Sequence, residues 1–362
     1  MLKKSFLYLL LCSIPLFAEV SLLNYLPKVY DINATNEPKV FIVAGIHGDE
    51  YGGFLSAQYI LSNIKIKKGH IRVIPYLNIK SIVVNFRYLI NGGDLNDKFV
   101  FSKINKLDLP QSVYQKINYI KKSIKDFNPD VVLSLHSGWG YSYRDNKRWG
   151  NSIVIDEKEY KGKDLYSKAN IVLEYINKNN RYKLYPYTLK VLNTFSNDVH
   201  IDMNDFSSWV LKSNFDVYSI ESSKNQRIRT QIYNTTFALL EFLRVYGIEV
   251  VNKDELLSID NIKRFLNSIR LRRVNFNIYI DGNKKEISCK LYEKKVIKIT
   301  KGSKIEIKDI QINKMGYFIT PNSRKNYQNI YTFKKNISFR INYFNIDKKR
   351  YDSFCRLIFE YK

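Results

Sequence analysis

Along the first two thirds of the chain the apolar positions switch between two periods. Residues 40–44 form an unbroken apolar run of strand length, after which Phe54, Ala57, Gln58, Leu61 and Ile64 follow the spacing of one helix face. Residues 71–77 supply a second strand. Residues 109–127 carry Val113, Ile117, Ile120 and Ile124 at helical spacing, and Pro129 marks the exit before a third apolar run, 131–135, that ends on His136. A fourth strand is read at 216–220, ending on Glu221, and 228–246 forms a strong helix closed by Gly247. Strands alternating with helices in this way predict an α/β domain.

Past Gly247 the texture changes. Residues 251–272 read as a polar helical connector, and from residue 273 short alternating runs take over, among them 274–280, 295–300, 304–310 and 336–344. Asp281-Gly282-Asn283 is a good hairpin turn between two such strands. The expected organisation is a catalytic domain over 19–250, the connector, and a small all-β domain over 273–362. That last part contains no histidine, so it is assigned to substrate positioning, wall contact or support rather than to chemistry. A mature length of about 340 residues, more than one core usually serves, agrees with a division of this kind.

The candidate chemistry lies at the carboxyl ends of the predicted strands, where ligand crevices form in α/β sheets. His47 and Glu50, in a His-x-x-Glu pair, follow the first strand; His136 ends the third; Glu221 ends the fourth. Singly, each is an ordinary surface or capping group, and their joint placement is what marks them. Two imidazoles and one carboxylate can hold one Zn2+ ion and leave its fourth position open, the arrangement of metal-assisted hydrolysis.

The ends of the chain and its charge refine the setting. Lys3 and Lys4 precede an apolar stretch, 6–17, and Ala18 stands before the first acidic residue, Glu19, so 1–18 reads as a cleavable secretory signal. A run of roughly a dozen residues is shorter than the about 20 that a membrane span needs, and no later segment supplies them. Leu11 occupies the place before Cys12 where lipidation expects a small residue. Cys289 and Cys355 then remain; in an oxidising compartment they could pair, and two separate buried thiols are the alternative. A formal charge of +25, spread over lysine-rich segments, favours polyanions in general. For an exported protein, nucleic acid is discounted and carboxylate-rich wall peptides are the better partner, while genome composition explains part of the lysine excess.

Taken together, Gly45-Ile46-His47-Gly48-Asp49-Glu50 with Gly52-Gly53-Phe54, Gly93-Asp94-Leu95-Asn96, Leu135-His136-Ser137-Gly138, Arg148-Trp149-Gly150 and Ile220-Glu221-Ser222-Ser223-Lys224-Asn225 resemble the zinc carboxypeptidase family. Within it they are most similar to the exported DL-carboxypeptidases that trim peptidoglycan peptides and determine helical cell shape. The likeness covers about residues 38–248, and the β domain only by its position. It implies a mixed central sheet flanked by helices, with zinc on His47, Glu50 and His136, and Glu221 as the general base. It further implies Arg87 beside the developing oxyanion, Asp94 hydrogen-bonded to the first zinc histidine, and Asn96 on the substrate's terminal carboxylate.

Two departures stand out. The family asparagine is usually followed by an arginine that forks onto that carboxylate, whereas here Asp97 and then Lys98 follow. Carboxylate recognition then passes to Lys98, Arg144 or Arg148, with Arg148 preferred because its local string resembles the shape-determining branch. The stretch 199–209 also lacks the tyrosine many members carry, and His200 is the residue there that could face the cleft. The resemblance implies a periplasmic zinc DL-carboxypeptidase acting on muropeptides, removing terminal meso-diaminopimelate from tripeptide stems. The alternatives are an N-acyl amino acid amidohydrolase of the succinylglutamate desuccinylase and aspartoacylase type, or a catalytically silent wall-binding protein.

Overall fold

The computed structural model describes residues 26–83, 85–89, 93–99, 110–195, 205–269, 273–290, 293–300, 302–308, 319–320, 330–332, 337–345 and 350–361. The leader read at 1–18 and His200 lie outside the described residues.

The chain enters through β1 (Tyr30–Asn33) and β2 (Lys39–Ala44), followed by α1 (Tyr51–Asn63), β3 (Ile66–Lys68) and β4 (His70–Ile74). Next come α2 (Ile79–Val83), α3 (Gln111–Phe127), β5 (Val131–Gly138) and β6 (Ser152–Ile155). A small ribbon of β7 (Glu159–Tyr160) and β8 (Lys163–Asp164) leads to α4 (Leu165–Asn179), β9 (Thr188–Val191) and α5 (Phe206–Lys212). Then β10 (Asp216–Ser223), α6 (Ile228–Val245) and β11 (Glu249–Val250) complete this part.

Seven strands form one sheet in the order β1-β4-β2-β5-β10-β6-β9. The β4-β2-β5-β10 run is parallel, β1 and β6 pair antiparallel to their neighbours β4 and β10, and β9 is parallel to β6, so the sheet is mixed and flanked by helices as expected. The central strands read as near-continuous apolar runs because both faces are covered: Val40 to Ala44 and Val131 to Leu133 are buried, as are Val217, Tyr218 and Ile220. The strand read at 71–77 stops at Ile74 instead. Pro75 has no N–H to give to a ladder, and beyond it Leu77 and Asn78 donate to the carbonyls of Ala44 and Gly45 in a turn.

That turn holds the segment leading to His47, since Asn78 also donates from Nδ2 to the Ile46 carbonyl. A Cβ on Gly48 would collide with the backbone of Ser81, and one on Gly53 would collide with the carbonyl of Leu135. Gly52 and Gly53, in the first turn of α1, oppose helical propensity, and the close seating of α1 on β5 is what they permit. Gly53→Ala is therefore expected to lower stability by about 1–3 kcal/mol through overpacking, even though alanine would favour an exposed helix by about 1 kcal/mol. Thermal unfolding checks this; an unchanged or raised Tm would contradict the close seating.

The connector is two helices, α7 (Lys253–Leu256) and α8 (Ile259–Ser268), because Ser258 caps the second through the amide of Asn261. Beyond it, β12 (Arg273–Ile280), β13 (Asn283–Lys290), β14 (Glu293–Ile299), β15 (Lys304–Lys308), β16 (Ile319–Thr320), β17 (Ile330–Thr332), β18 (Ile337–Asn345) and β19 (Arg350–Tyr361) form two four-stranded sheets, β13-β12-β15-β17 and β14-β19-β18-β16. The expected hairpin is present: Ile280 pairs with Asn283 across Asp281 and Gly282, both at positive φ. Cys289 is fully buried and disulfide-bonded.

Candidate metal centre

The three predicted ligands come together at the carboxyl edge of the parallel strands. His47 lies in the turn after β2, Glu50 is the residue before α1, and His136 is in β5; all three are buried, and one donor atom from each lies within 4.8 Å of the others. His47 Nδ1 is 2.9 Å from Glu50 Oε1, and His136 Nδ1 is 2.8 Å from Glu50 Oε2.

Each ring offers the same nitrogen inward and ties down the other. His47 Nε2 is 3.0 Å from Asp94 Oδ1, which also accepts from the amide of Asn96. His136 Nε2 is 2.8 Å from Ser134 Oγ. With Nε2–H engaged in this way, the Nδ1 lone pair of each ring is left for a cation. Burial alone would lift the Glu50 carboxyl, yet the charges of His47 and His136 and their hydrogen bonds hold it well below the usual carboxylate range. Burial would depress the His47 imidazole, but Glu50 and Asp94 outweigh it and push it up to about 9.

A divalent zinc ion fits this set. Two neutral imidazoles and a carboxylate are its usual donors with one position left open. His47 Nδ1 is buried and makes no properly directed hydrogen bond within the protein, so a donor is available there without breaking an existing bond.

Glu221 sits beside the cluster by strand register: β10 and β5 are parallel neighbours, and Glu221 pairs directly with His136. Its Oε2 is buried without a hydrogen-bond partner, and burial, then the charge of Glu50, pushes its carboxyl up to about 7. Arg87, partly exposed, donates from Nη1 to Glu50 Oε1 at 2.7 Å and approaches Asp94 Oδ2 at 3.5 Å. Asn96 and Lys98 lie in one 3-10 turn, Asn96–Lys98, which begins two residues after Asp94, with Asp97 exposed between them. Arg144 and Arg148 are exposed residues of the loop after β5; among the described residues no hydrogen bond or ion pair joins either to the cluster. Arg144 stands over the rings of Tyr141 and Tyr143, and Arg148 pairs with Asp145.

Two supporting roles escaped the sequence reading. Ser134 is two positions before His136, on the same face of the strand, and a hydroxyl inside an otherwise apolar buried run was the available signal. Ser134→Ala removes the bond that orients the His136 ring, and a loss of about 10- to 100-fold in zinc affinity is expected. Zinc titration against a competing chelator measures it, and unchanged affinity would remove Ser134 from the site. The second is Lys224, whose Nζ donates to Asp49 Oδ2 at 2.7 Å, joining the His47–Glu50 turn to the end of β10. Nothing in the spacing of those two residues announces that pairing.

The model of a family described as the carboxypeptidase controlling helical cell shape, catalytic part, matches residues 1–267. Among solved structures, the tripeptide-bound cell shape determinant protein Csd4 from Helicobacter pylori is similar, with 19% identity, a TM-score of 0.60, and coverage of 93% of this chain and 100% of that one. The mDAP-bound form of the same protein, described as a D,L-carboxypeptidase, gives 19% identity, a TM-score of 0.56, and coverage of 90% and 96%. At these identities the structures speak for the fold. A curated relative, the N-alpha-acetyl-L-2,4-diaminobutyric acid deacetylase of Halomonas elongata, is 31% identical over 105 residues, 28% of this chain and 29% of that protein. With a family model spanning well over half of the sequence and a His-Glu-His cluster at the carboxyl edge of its parallel strands, the chain belongs to the family of carboxypeptidases that control helical cell shape.

Proposed function

We propose that this protein is a periplasmic zinc DL-carboxypeptidase that removes terminal meso-diaminopimelate from peptidoglycan tripeptide stems and thereby acts on cell shape. The observation that carries the reading is the convergence of His47, Glu50 and His136, with Glu221 in register beside them, in a chain of this family. The tripeptide and mDAP in the two Helicobacter pylori structures support the substrate class. A disulfide at Cys289 suits an oxidising, exported setting, and no helix among the described residues is long and apolar enough to cross a membrane.

In this reading His47, Glu50 and His136 hold the ion. When bound, it supplies Lewis-acid polarisation of the scissile carbonyl and acidifies a water molecule. Glu221 takes the proton from the attacking water and returns it to the nitrogen of the departing amine. Its carboxylate makes no hydrogen bond through Oε2, which leaves a basic oxygen for that transfer. Arg87 extends a partly exposed guanidinium to the edge of the cluster, where it holds the substrate oxygen that becomes negative. Asp94 fixes the His47 ring. Asn96, on the turn two residues after Asp94, binds the terminal carboxylate, and Lys98, Arg144 or Arg148, with Arg148 preferred, supplies the charge in place of the family arginine. The β strands from residue 273 onward position the wall or support the catalytic part.

The test is mass spectrometry of wall peptides incubated with the wild type and with Glu221→Gln. Loss of one diaminopimelate from tripeptide stems, by the wild type alone, is the expected result. The match to the deacetylase favours a second reading, cleavage of small N-acyl amino acids. Including those compounds in the same incubation separates the two by product. Stoichiometric zinc with no turnover on any of them would instead point to a silent wall-binding protein.

A further inference from the structure

Carboxylates gather on the face of the sheet that carries Glu221, at a place the reaction as described does not use. Helix α5 is seated there: Ser207 Oγ lies 3.0 Å from Ser219 Oγ of β10, and Ser219, two positions before Glu221, projects to the same face. The ring of Phe206 packs 5.0 Å from that of Phe99. Asp205 stands one residue before Phe206, and Asp97 two before Phe99. That ring contact brings the two acids to one rim, beside the turn that carries Asn96.

In a chain with a formal charge of +25, these acids are poorly matched by bases. Asp97 is exposed; partial enclosure, then the charges of Asp94 and Asp205, raise its carboxyl, and Lys98 only partly offsets them. Asp205 uses Oδ1 to cap α5, accepting from the amide and the hydroxyl of Ser208, both at 2.8 Å, which leaves Oδ2. Next to it Asp156 is only 2% exposed. Its Oδ1 accepts from Thr194 Oγ1 at 3.1 Å, and its buried Oδ2 has no hydrogen-bond partner. Burial, then the charge of Asp205, push this carboxyl up to about 8; Glu157 adds to the effect and Lys212 is not enough to reverse it. A buried acceptor left open within the field of Asp205 calls for a positively charged donor.

A metal ion does not fit the spacing. Among the described residues the one set of three donors within 4.8 Å of one another is His47, Glu50 and His136, so the aspartates stand too far apart to enclose an ion. An ammonium group donates in three directions at hydrogen-bond length and accepts a wider spacing. The proposed leaving residue carries one: beyond the carboxylate assigned to Asn96, meso-diaminopimelate ends in an amine and a second carboxylate. We propose that Asp97, with Asp205 beside it, holds the ammonium of the departing residue and is the specificity-determining residue that selects stems ending in a diamino acid. This inference rests on the proposed activity toward peptidoglycan stems and assigns its selectivity to named side chains.

The test compares L-Ala-γ-D-Glu-meso-diaminopimelate with the same peptide ending in L-2-aminopimelate, which keeps both carboxylates and lacks the far amine. For the zinc-loaded wild type, kcat/KM is expected to be roughly 10- to 100-fold higher on the diaminopimelate peptide, the scale of a hydrogen bond between charged groups. Asp97→Asn and Asp205→Asn, the latter keeping a good helix cap, each shrink that ratio severalfold, while Asp97→Glu retains most of it. A purely structural role would slow both peptides alike and leave the ratio intact. Equal rates on the two peptides in the wild type, or an unchanged ratio in either asparagine variant, would overturn the assignment. If neither peptide is cleaved, the proposed activity fails, and the aspartates are judged separately by calorimetric titration with free meso-diaminopimelate and free L-2-aminopimelate. Tighter binding of the diamino acid, weakened about tenfold by Asp97→Asn, upholds them; equal binding of the two, or binding of neither, overturns them.

Discussion

Under the proposed mechanism, replacing Glu221 by glutamine is expected to leave metal binding intact and to lower kcat by a factor of about 10² to 10⁴, the usual contribution of a positioned acid-base group. Metal retention is expected because Glu221 is not among the three donors. The fold should persist as well, since Oε2 of Glu221 makes no hydrogen bond that the amide would break. Burial raises this carboxyl to about 7, above its ordinary value, so the folded metal-free protein holds the proton more tightly than the unfolded chain does. The sign follows: ionisation of Glu221 costs stability as pH rises from the ordinary carboxylate range through about 7. Glu221→Gln should then be at least as stable as the wild type at pH 8, an expression of the trade between function and stability. For the active enzyme, a bound cation draws the carboxyl back down, so kcat/KM falls on the acid side at or below about 7. Metal analysis, turnover on the tripeptide and thermal unfolding, measured on one preparation, check all three. A variant with near-normal turnover would remove Glu221 from its role.

Removing the metal has the larger effect. Dialysis against a chelator, or His136→Ala, is expected to lower turnover by more than about 10³-fold, because carbonyl polarisation and water acidification are lost together, at a cost of several kcal/mol. Adding zinc restores the dialysed wild type and not the variant. A second readout needs no substrate. Zinc would bind the folded state through residues from two separate places in the sequence, the His47–Glu50 pair and His136, so at about 100 times its Kd it should stabilise the wild type by about 2.7 kcal/mol. The Tm of the wild type then rises with zinc, and that of His136→Ala rises little. Full activity after exhaustive chelation, or an equal zinc response in the two proteins, would count against the centre.

The centre was legible because its parts obey local rules. Buried parallel strands are apolar on both faces, so 40–44 and 131–135 stood out, and the joint placement of polar residues at their carboxyl ends, rather than any one of them, pointed to chemistry. The same logic reached Glu221 at the end of β10. Less was legible where the signal is weak or nonlocal. Strand β9 is half-buried along its whole length and alternates too little to be read, while β6 is four buried residues with no period to identify. Helix α4 does carry Leu165, Ala169, Val172 and Ile176 on one buried stripe, a pattern that was available and not used. Contacts across 175 positions, such as Lys224 with Asp49, depend on how the sheet closes, and no window of sequence contains them.

The pairing of Glu221 with His136 across adjacent parallel strands has a practical implication for how this enzyme dies on heating. Their separation is set by backbone hydrogen bonds between two interior strands rather than by flexible side-chain torsions, and a slip of one position would turn either residue to the opposite side of the sheet. Intermediate, half-competent geometries are therefore scarce. Activity measured along a temperature ramp should hold nearly level and then vanish together with the sheet, instead of fading ahead of it.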